Sequence, residues 1–136
     1  MYIKRLIENT LREVLKTFPA VVITGPRQSG KTTLVRNVLK GRYSYVSLDE
    51  MDIRSLAIED PKGFLARYPS PVIIDEIQQA PQLLSYIKAR IDDNRKPGQW
   101  VLTGSQAFPL MRNISESLAG ESCHTHSLSL FTGRNE

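Results

Sequence analysis

Eight consecutive residues combine the groups that proteins use to hold phosphate. The segment Gly25-Pro26-Arg27-Gln28-Ser29-Gly30-Lys31-Thr32 matches the pattern G-x-x-x-x-G-K-[ST], which places two glycines, a lysine and a hydroxyl at fixed positions. Glycines permit the backbone angles that turn amide hydrogens inward around phosphate oxygens. Lys31 can reach the β- and γ-phosphates as a point charge, and the Thr32 hydroxyl can ligate Mg²⁺. The segment therefore predicts a P-loop that binds ATP with magnesium.

The residues around this motif set the extent of the predicted nucleotide site. Thr33 could add a contact to the α-phosphate, whereas Arg27 and Gln28 occupy the variable part of the loop and can simply face solvent. The alternative is a glycine-rich turn followed by a surface lysine. A buried strand before the loop and a helix after it favour the phosphate site. The predicted nucleotide-binding residues are Gly25, Pro26, Arg27, Gln28, Ser29, Gly30, Lys31, Thr32 and Thr33.

Two carboxylates end a second apolar run. Val72-Ile73-Ile74 is followed by Asp75 and Glu76, and in a parallel sheet this strand end lies on the same edge as the P-loop. Asp75 would hold Mg²⁺, largely through water, and Glu76 would act as general base on the attacking water. The alternative is an acidic cap on the following turn. The predicted metal ligands are therefore Thr32 and Asp75.

Polar residues also end the last apolar run, at Thr103-Gly104-Ser105. Either Thr103 or Ser105 could reach the γ-phosphate or its water, in the role called sensor 1, and the sequence does not choose between them. A local turn with its own side-chain hydrogen bonds is the alternative. Arg112 could face a neighbouring subunit's nucleotide, although a surface arginine is the simpler interpretation. The predicted catalytic residues are Lys31, Glu76, Thr103 and Ser105.

The elements that must position these groups alternate between helix and strand. Short, continuously apolar runs predict buried parallel strands at Ala20–Ile23, Tyr43–Leu48, Val72–Ile74 and Trp100–Thr103. Helical spacing of apolar residues predicts helices over 3–18, 32–39, from Pro81 onward and 108–118. A further weakly helical stretch follows Asp52, and Asp60-Pro61 predicts an N-cap with proline at the first helical position. The alternation indicates an α/β layered fold around a mostly parallel sheet.

The composition is that of an ordinary globular protein. The 136 residues fit one domain, with 40% hydrophobic and 24% charged residues. The net charge of +4 comes from scattered basic residues, which favours a solvated surface and leaves nucleic-acid binding unsupported. Cys123 is the only cysteine, so we expect a reducing cytoplasm. No secretion signal or apolar run long enough for a bilayer is visible, so we expect no membrane partner.

With these motifs placed, residues 1–120 resemble the N-terminal half of prokaryotic AAA-type P-loop ATPases that carry a C-terminal domain of unknown function. The matching stretches are the opening amphipathic helix, Val22–Thr33, Ser47–Asp49, Ile73–Gln78, Leu102–Gln106 and Ile114–Gly120. The resemblance implies a three-layer P-loop NTPase fold with strand order 5-1-4-3-2. It also implies ATP and Mg²⁺ as ligands, ATP hydrolysis, and a homo-oligomer or an effector protein as partner.

The likeness stops after Gly120, where the family continues with an arginine, an apolar strand and L-P-x-S-x-x-E. We hypothesise a frameshift, because codons chosen freely for residues 120–136 and read one base later can spell S-R-A-I-L-T-L-F-P-F-S-L-A-E. We accordingly divide the chain into an ATPase domain, 1–120, and a divergent tail, 121–136. The family's fifth strand, lid and second sensor would then be missing.

The predicted loss of the fifth strand has a consequence for its neighbour. Ala20–Ile23 would become an unpaired apolar edge that favours aggregation, unless Leu128–Phe131 replaces the missing strand. The tail also contains Cys123, His124 and His126. These side chains are too close in sequence to converge on a metal ion, and no second ligand cluster is visible elsewhere in the sequence, so a metal site is the less favoured interpretation.

Three functions remain open on the sequence. The leading one is an ATPase module whose Mg²⁺-dependent hydrolysis drives a change in a partner domain, impaired if the domain is truncated. The second is a nucleotide-gated binding module that acts as a switch without useful turnover. The third, a small-molecule kinase, fits less well because Asp75-Glu76 and Thr103-Gly104-Ser105 suit water activation, and no lid with an arginine pair is visible.

Overall fold

A computed structural model describes residues 2–25, 30–105 and 125–129. Helices and parallel strands alternate along most of this length, as the apolar patterns predict. The helices are α1 (Tyr2–Leu15), α2 (Lys31–Val38), α3 (Met51–Glu59), α4 (Pro61–Arg67) and α5 (Leu83–Asp93), with a short 3₁₀ turn at Ile77–Gln79. The strands are β1 (Ala20–Gly25), β2 (Ser44–Ser47), β3 (Val72–Asp75), β4 (Trp100–Ser105) and β5 (Thr125–Ser129). The predicted helix at 108–118 lies outside the described residues.

The five strands form one parallel sheet in the order β2-β3-β4-β1-β5. Read from the other edge, this is the 5-1-4-3-2 order that the family resemblance implies. Strands β3 and β4 pair with Val72 opposite Trp100, and β4 pairs with β1 so that Thr103 lies opposite Ile23. The predicted α/β fold and its strand order are therefore confirmed.

Of the two outcomes predicted for the β1 edge, the replacement strand is confirmed and the unpaired edge is wrong. Strand β1 has β4 on one side and β5 on the other, and Ala20 lies opposite Thr125 while Thr24 lies opposite Ser129. The replacement strand begins earlier than the predicted segment Leu128–Phe131. A backbone ladder does not need an apolar run, since its hydrogen bonds come from main-chain groups that every non-proline residue has.

Helices cover both faces of the sheet and make three layers. Because successive strand residues point to opposite faces, neighbours in one strand enter different cores. One core joins Val22, Ile74 and Leu102 to α3, α4 and α5 through Ala57, Phe64, Leu65, Leu83, Ile87 and Ile91. The other core joins Val21, Ile23, Ile73 and Val101 to α1 and α2 through Leu11, Val14, Leu15 and Val35. The sheet is therefore buried on both faces, which explains the continuous apolar runs.

Several element boundaries differ from the predicted ones. Helix α1 ends at Leu15 rather than residue 18, because the chain turns before Pro19 with Thr17 N donating to Val14 O at 3.0 Å. Helix α5 begins at Leu83 rather than Pro81, after a tight turn in which Leu83 N donates to Ala80 O at 3.1 Å. Strand β4 extends through Ser105, so the local turn considered for residues 103–105 is wrong.

The predicted N-cap of α4 is confirmed in atomic detail. The Asp60 carboxylate accepts a hydrogen bond from Gly63 N at 3.1 Å, and Pro61 occupies the first helical position. Proline has no N–H to lose there, and the capping bond satisfies one amide that the helix leaves unpaired.

No helix within residues 2–25 and 30–105 is long and apolar enough to cross a membrane.

Candidate functional site

Three segments with predicted chemical groups meet at one edge of the sheet. Strands β1, β3 and β4 run parallel and are neighbours in the ladder, so their carboxyl ends lie together. Helix α2 begins with Lys31 shortly after β1, the acidic pair ends β3, and Thr103 lies near the end of β4. The topology therefore gathers residues that are distant in sequence.

Asp75 is the centre of the hydrogen bonds at this edge. Its carboxylate, on a residue only 5% exposed, accepts from the Thr32 hydroxyl at 3.1 and 3.2 Å and from the Tyr45 hydroxyl at 2.7 Å. The hydroxyl of Thr103 also donates to Asp75. Three donors from α2, β2 and β4 thus set the orientation of one carboxylate.

Glu76 has an unusual backbone conformation for a residue with a side chain. Its φ of 58° and ψ of 53° lie in the left-handed region, which costs about 1–3 kcal/mol and occurs most often at functional sites. Its N–H donates to the Thr103 hydroxyl at 3.3 Å. This conformation turns the chain out of β3 into the 3₁₀ turn directly after the acidic pair.

The Glu76 side chain contacts two buried partners. Its Oε2 lies 3.7 Å from Lys31 Nζ, and its Oε1 accepts from Gln78 Nε2 at 2.7 Å. Lys31 is 3% exposed and Glu76 is 6% exposed. Buried charges are retained only when they are paired and hydrogen-bonded, so the two side chains depend on each other in this arrangement.

Tyr45 connects the site to β2 and α2. Burial raises the pKa of Tyr45 above its ordinary value, and the hydrogen bond to Asp75 raises it further. The Arg36 guanidinium carbon lies 4.1 Å from the centre of the Tyr45 ring, a cation–π contact that holds the ring in place. Tyr45 therefore remains a neutral hydrogen-bond donor to the carboxylate.

Two glycines of the predicted P-loop lie within the described residues. Gly25 ends β1, and Gly30 has a φ of 88°, a left-handed conformation that favours glycine. Within the described residues no side chain caps α2, and the helix presents its first amides and the positive end of its dipole at this edge. Thr33 is exposed. Residues Pro26, Arg27, Gln28 and Ser29 lie outside the described residues.

The donor set at Thr32 and Asp75 fits magnesium. A hydroxyl and a carboxylate in direct contact supply the hard oxygen ligands that Mg²⁺ prefers, and this ion commonly takes only one or two protein ligands beside water and phosphate. Within the described ranges, no group of three or more His, Cys, Asp and Glu residues could hold a metal ion. The arrangement therefore suits a metal ion that is shared with a phosphate ligand.

The structure brings together five of the predicted residues, which are Lys31, Thr32, Asp75, Glu76 and Thr103. Ser105 is described only through its backbone, which lies opposite Gly25 in the ladder. Arg112, Cys123 and His124 lie outside the described residues. His126 belongs to β5, where its backbone pairs with Val21.

Two contributors to this cluster were missed in the sequence, Tyr45 and Gln78. Tyr45 lies in β2, which neighbours β3 only in the folded sheet. Gln78 had a local signal, because it follows Glu76 by two residues at a strand end that carries the acidic pair. Its contact depends on the left-handed turn at Glu76, which no residue type in the sequence indicates.

Comparison with known proteins agrees with this geometry. Residues 17–132 match the model of a protein family described as AAA domain. The chain belongs to the AAA domain family. The match extends beyond Gly120 into the tail, and the division of the chain at that residue stays a prediction. The family and the fold together make this AAA domain a P-loop ATPase-like module.

The relatives of this AAA domain include two mycobacterial proteins. It is 36% identical over 110 residues to the uncharacterized proteins Rv2008c of Mycobacterium tuberculosis and Mb2031c of Mycobacterium bovis. These matches cover 81% of this chain and 25% of each relative. The chain therefore spans about a quarter of the length of the curated relatives it matches.

A solved structure supports the fold. The Walker-type ATPase of Pyrococcus abyssi superposes with a TM-score of 0.59 at 15% sequence identity, over 90% of this chain and 51% of the other. At that identity the likeness concerns the arrangement of helices and strands. It agrees with the parallel sheet and its helical layers.

Proposed function

We propose that this AAA domain binds ATP with Mg²⁺ and hydrolyses it. The observation that carries the proposal is the contact between the Lys31-Thr32 pair and the Asp75-Glu76 pair. The Thr32 hydroxyl lies 3.1 Å from an Asp75 carboxylate oxygen, and Lys31 Nζ lies 3.7 Å from Glu76 Oε2. Both contacts join the start of α2 to the end of β3. An ATPase needs this proximity, because phosphate-binding and water-activating groups must act on the same phosphoryl group.

The triphosphate would bind at the start of α2. Lys31 supplies the positive charge for the β- and γ-phosphates, and the amides of the first helical turn add hydrogen-bond donors. The buried position of the lysine supports this role, since a charge in a protected environment attracts an anion more strongly than one in water. The predicted loop residues, including Pro26 to Ser29, would complete the cradle.

Thr32 and Asp75 would hold the magnesium ion, with Asp75 acting largely through water. When bound, Mg²⁺ neutralises charge on the β- and γ-phosphate oxygens. Tyr45 and Thr103 orient the Asp75 carboxylate through their hydroxyls. Such supporting hydrogen bonds fix the direction of a metal ligand and tune its affinity.

Glu76 would be the general base. Its carboxylate accepts a proton from the attacking water while the water oxygen bonds to the γ-phosphorus. The bond between that phosphorus and the bridging oxygen breaks, which yields ADP and inorganic phosphate. Of the two sensor candidates, we favour Thr103, because its hydroxyl contacts both the Asp75 side chain and the Glu76 backbone.

A nucleotide-gated switch without useful turnover is the second candidate. The contact that favours it is the pair between Lys31 and Glu76, which engages the base with the same lysine that should hold phosphate. A switch would use ATP to separate this pair without then activating water. The coupling of either activity to an effector domain or to other subunits is also a proposal, since the chain spans about a quarter of its curated relatives.

Two variants separate these functions. Glu76→Gln should lower the hydrolysis rate by about 10²–10⁴-fold, the usual contribution of a general base, and leave ATP binding nearly unchanged. Lys31→Ala should weaken Mg²⁺-ATP binding itself, with Lys40→Ala as an exposed lysine control that binds normally. Binding by isothermal calorimetry and phosphate release report the two steps. Wild-type protein that is folded but binds no ATP would contradict the proposal, and binding without turnover would favour the switch.

A further inference from the structure

Gln78 contacts the proposed general base and has no role in the mechanism described so far. It lies in the 3₁₀ turn at Ile77–Gln79 and is 7% exposed. Its amide nitrogen donates to Glu76 Oε1 at 2.7 Å. The amide must present its nitrogen to Glu76, because a carboxylate only accepts hydrogen bonds. The orientation of Gln78 is therefore set by Glu76.

The other end of the same amide is left without a partner. Gln78 Oε1 is buried and accepts no hydrogen bond in the part of the chain that the structure describes. A buried carbonyl oxygen without a donor lowers the stability of the fold, and most such groups in native proteins are satisfied. An apolar side chain of the same shape would avoid this loss, but it would also remove the hydrogen bond to the buried Glu76 carboxylate. The contact with Glu76 is therefore what accounts for a glutamine at this position.

We propose that Gln78 is a positioning residue for Glu76 in ATP hydrolysis, an inference that rests on the proposed function. In the structure Glu76 is contacted by Lys31 at one carboxylate oxygen and by Gln78 at the other. Phosphate binding draws Lys31 toward the nucleotide, and Oε2 accepts the proton of water. Gln78 holds Oε1 in a fixed direction through its hydrogen bond, so that the carboxylate keeps its orientation during the proton transfer.

The position of Gln78 in the backbone supports this role. Glu76 adopts a left-handed conformation, and Gln79 N donates back to Glu76 O at 3.0 Å to close the 3₁₀ turn. The turn therefore places the side chain two residues after Glu76 against its carboxylate. A precise orientation is what a general base requires, since misplacement by about 1 Å can lower a rate about 10²-fold.

The adjacent residue offers a matched control. Gln79 lies in the same turn, yet its Oε1 accepts from Arg54 Nη1 at 3.2 Å and its Nε2 donates to Asp49 at 3.1 Å. Both ends of this amide therefore have partners that do not belong to the proposed catalytic group. Its replacement removes two hydrogen bonds of the fold and none from Glu76.

The test compares Gln78→Met with Gln79→Met in the full chain, because methionine keeps the length of glutamine without its polar atoms. Gln78→Met should lower kcat by about 10- to 100-fold, with an unchanged Kd for Mg²⁺-ATP and a fall in Tm no larger than that of Gln79→Met. Gln79→Met should lower the Tm with kcat unchanged. Gln78→Leu, a smaller apolar substitution, serves as a second measurement if the methionine variant does not fold.

The outcomes separate this inference from the proposed function. Normal kcat in folded Gln78→Met or Gln78→Leu overturns the positioning role and leaves the ATPase proposal intact. A fall in Tm together with equal losses of binding and kcat shows a structural role and also overturns it. A wild-type chain that binds ATP but has no turnover overturns the hydrolysis proposal itself, and this inference with it.

Discussion

At the scale of single residues, Asp75 depends on hydroxyl groups from three different elements. Thr32, Tyr45 and Thr103 donate to its carboxylate from α2, β2 and β4. Hydrogen bonds to a charged group contribute about 1.5–3 kcal/mol each, more than neutral pairs. On Mg²⁺ binding, Thr32 would direct its oxygen to the ion, while Tyr45 and Thr103 can keep their bonds to the carboxylate. A substitution of Tyr45 therefore tests whether these hydroxyl groups set the orientation of Asp75.

We predict that Tyr45→Phe raises the Mg²⁺ concentration that is needed for half-maximal ATP binding. The substitution removes only the hydroxyl that orients Asp75 and keeps the ring on which Arg36 stacks. Loss of such a supporting bond typically lowers metal affinity about 10- to 100-fold. Titration of Mg²⁺ at fixed ATP should show the shift in the half-saturating concentration. An unchanged titration would show that Tyr45 does not set the position of Asp75.

Tyr43 provides the matched control for this substitution. Its hydroxyl donates to Gly98 O at 2.7 Å, and it precedes β2, at the edge of the sheet opposite the candidate site. Tyr43→Phe removes the same atom from a hydrogen bond that does not involve Asp75. It should reduce the free energy of unfolding by about 0.5–1.5 kcal/mol, the usual net value of one hydrogen bond, with a normal magnesium titration.

Tyr43 also predicts a pH dependence of stability. Burial raises the pKa of Tyr43 above its ordinary value of 10.0, and the charge of Arg42 lowers it by a smaller amount. A raised folded pKa stabilises the fold fully below about pH 10, and this stabilisation is lost as the pH rises through the folded pKa. The difference in unfolding free energy between wild type and Tyr43→Phe should therefore shrink from about pH 8 to about pH 11. Urea denaturation checks this, and a constant difference would contradict it.

At the scale of elements, the turn that precedes β4 makes a close backbone contact with the end of α1. Gly98 has a φ of 72°, and a Cβ at this residue would lie 2.9 Å from the Leu15 carbonyl oxygen at the end of α1. Its N–H donates to Phe18 O at 2.9 Å. The turn therefore combines a left-handed conformation with contact to a neighbouring element, and both features favour glycine.

We predict that Gly98→Ala destabilises the protein more than Gly41→Ala. Gly41 has a similar φ of 85°, but a Cβ at this residue would have no neighbouring atom within 4 Å among the described residues. Both variants lose about 1–2 kcal/mol from the left-handed conformation, and Gly98→Ala adds the backbone clash. Urea unfolding of the two variants measures the difference between their free energies of unfolding, which is the cost of the backbone clash. Equal free energies of unfolding would show that the clash costs nothing.

At the scale of the whole molecule, the sheet depends on the strand β5, which lies near the C-terminal end of the sequence. β5 pairs with β1 from Ala20 to Thr24 and covers the edge of the strand that leads into the P-loop. An exposed apolar edge strand presents unpaired backbone groups that recruit other chains. β5 thus contributes to the fold of the sheet.

We predict that deleting residues 125–136 causes aggregation and lowers the free energy of unfolding by about 2 kcal/mol or more. Each lost hydrogen bond of the ladder contributes about 0.5–1.5 kcal/mol net. Deletion of residues 130–136 alone is the control, since it keeps every paired residue of β5. Light scattering and urea unfolding compare the two. Equal behaviour of both deletions would show that β5 does not protect the β1 edge.

The sequence by itself determined much of the fold and the principal chemical groups. Local sequence patterns predicted three features, because each depends on neighbours in the chain. They are the P-loop segment, the Asp75-Glu76 pair and the cap at Asp60. Strand positions followed from continuous apolar runs, since a parallel sheet covered on both faces has no polar side. The boundaries were less exact, as at the ends of α1 and β4, because they depend on turns and ladder partners.

Only the tertiary structure decided which side chains support these groups. The contact of Tyr45 with Asp75 requires β2 to lie beside β3, and the contact of Gln78 with Glu76 requires a left-handed turn at a glutamate. The strand next to β1 was foreseen only in part, since the predicted segment Leu128–Phe131 overlaps the end of β5, and the pairing uses backbone groups rather than a residue pattern. Local sequence patterns reflect interactions between residues that are close in the chain. The contacts of Tyr45 and of β5 join elements that are distant in sequence and meet only when the sheet forms.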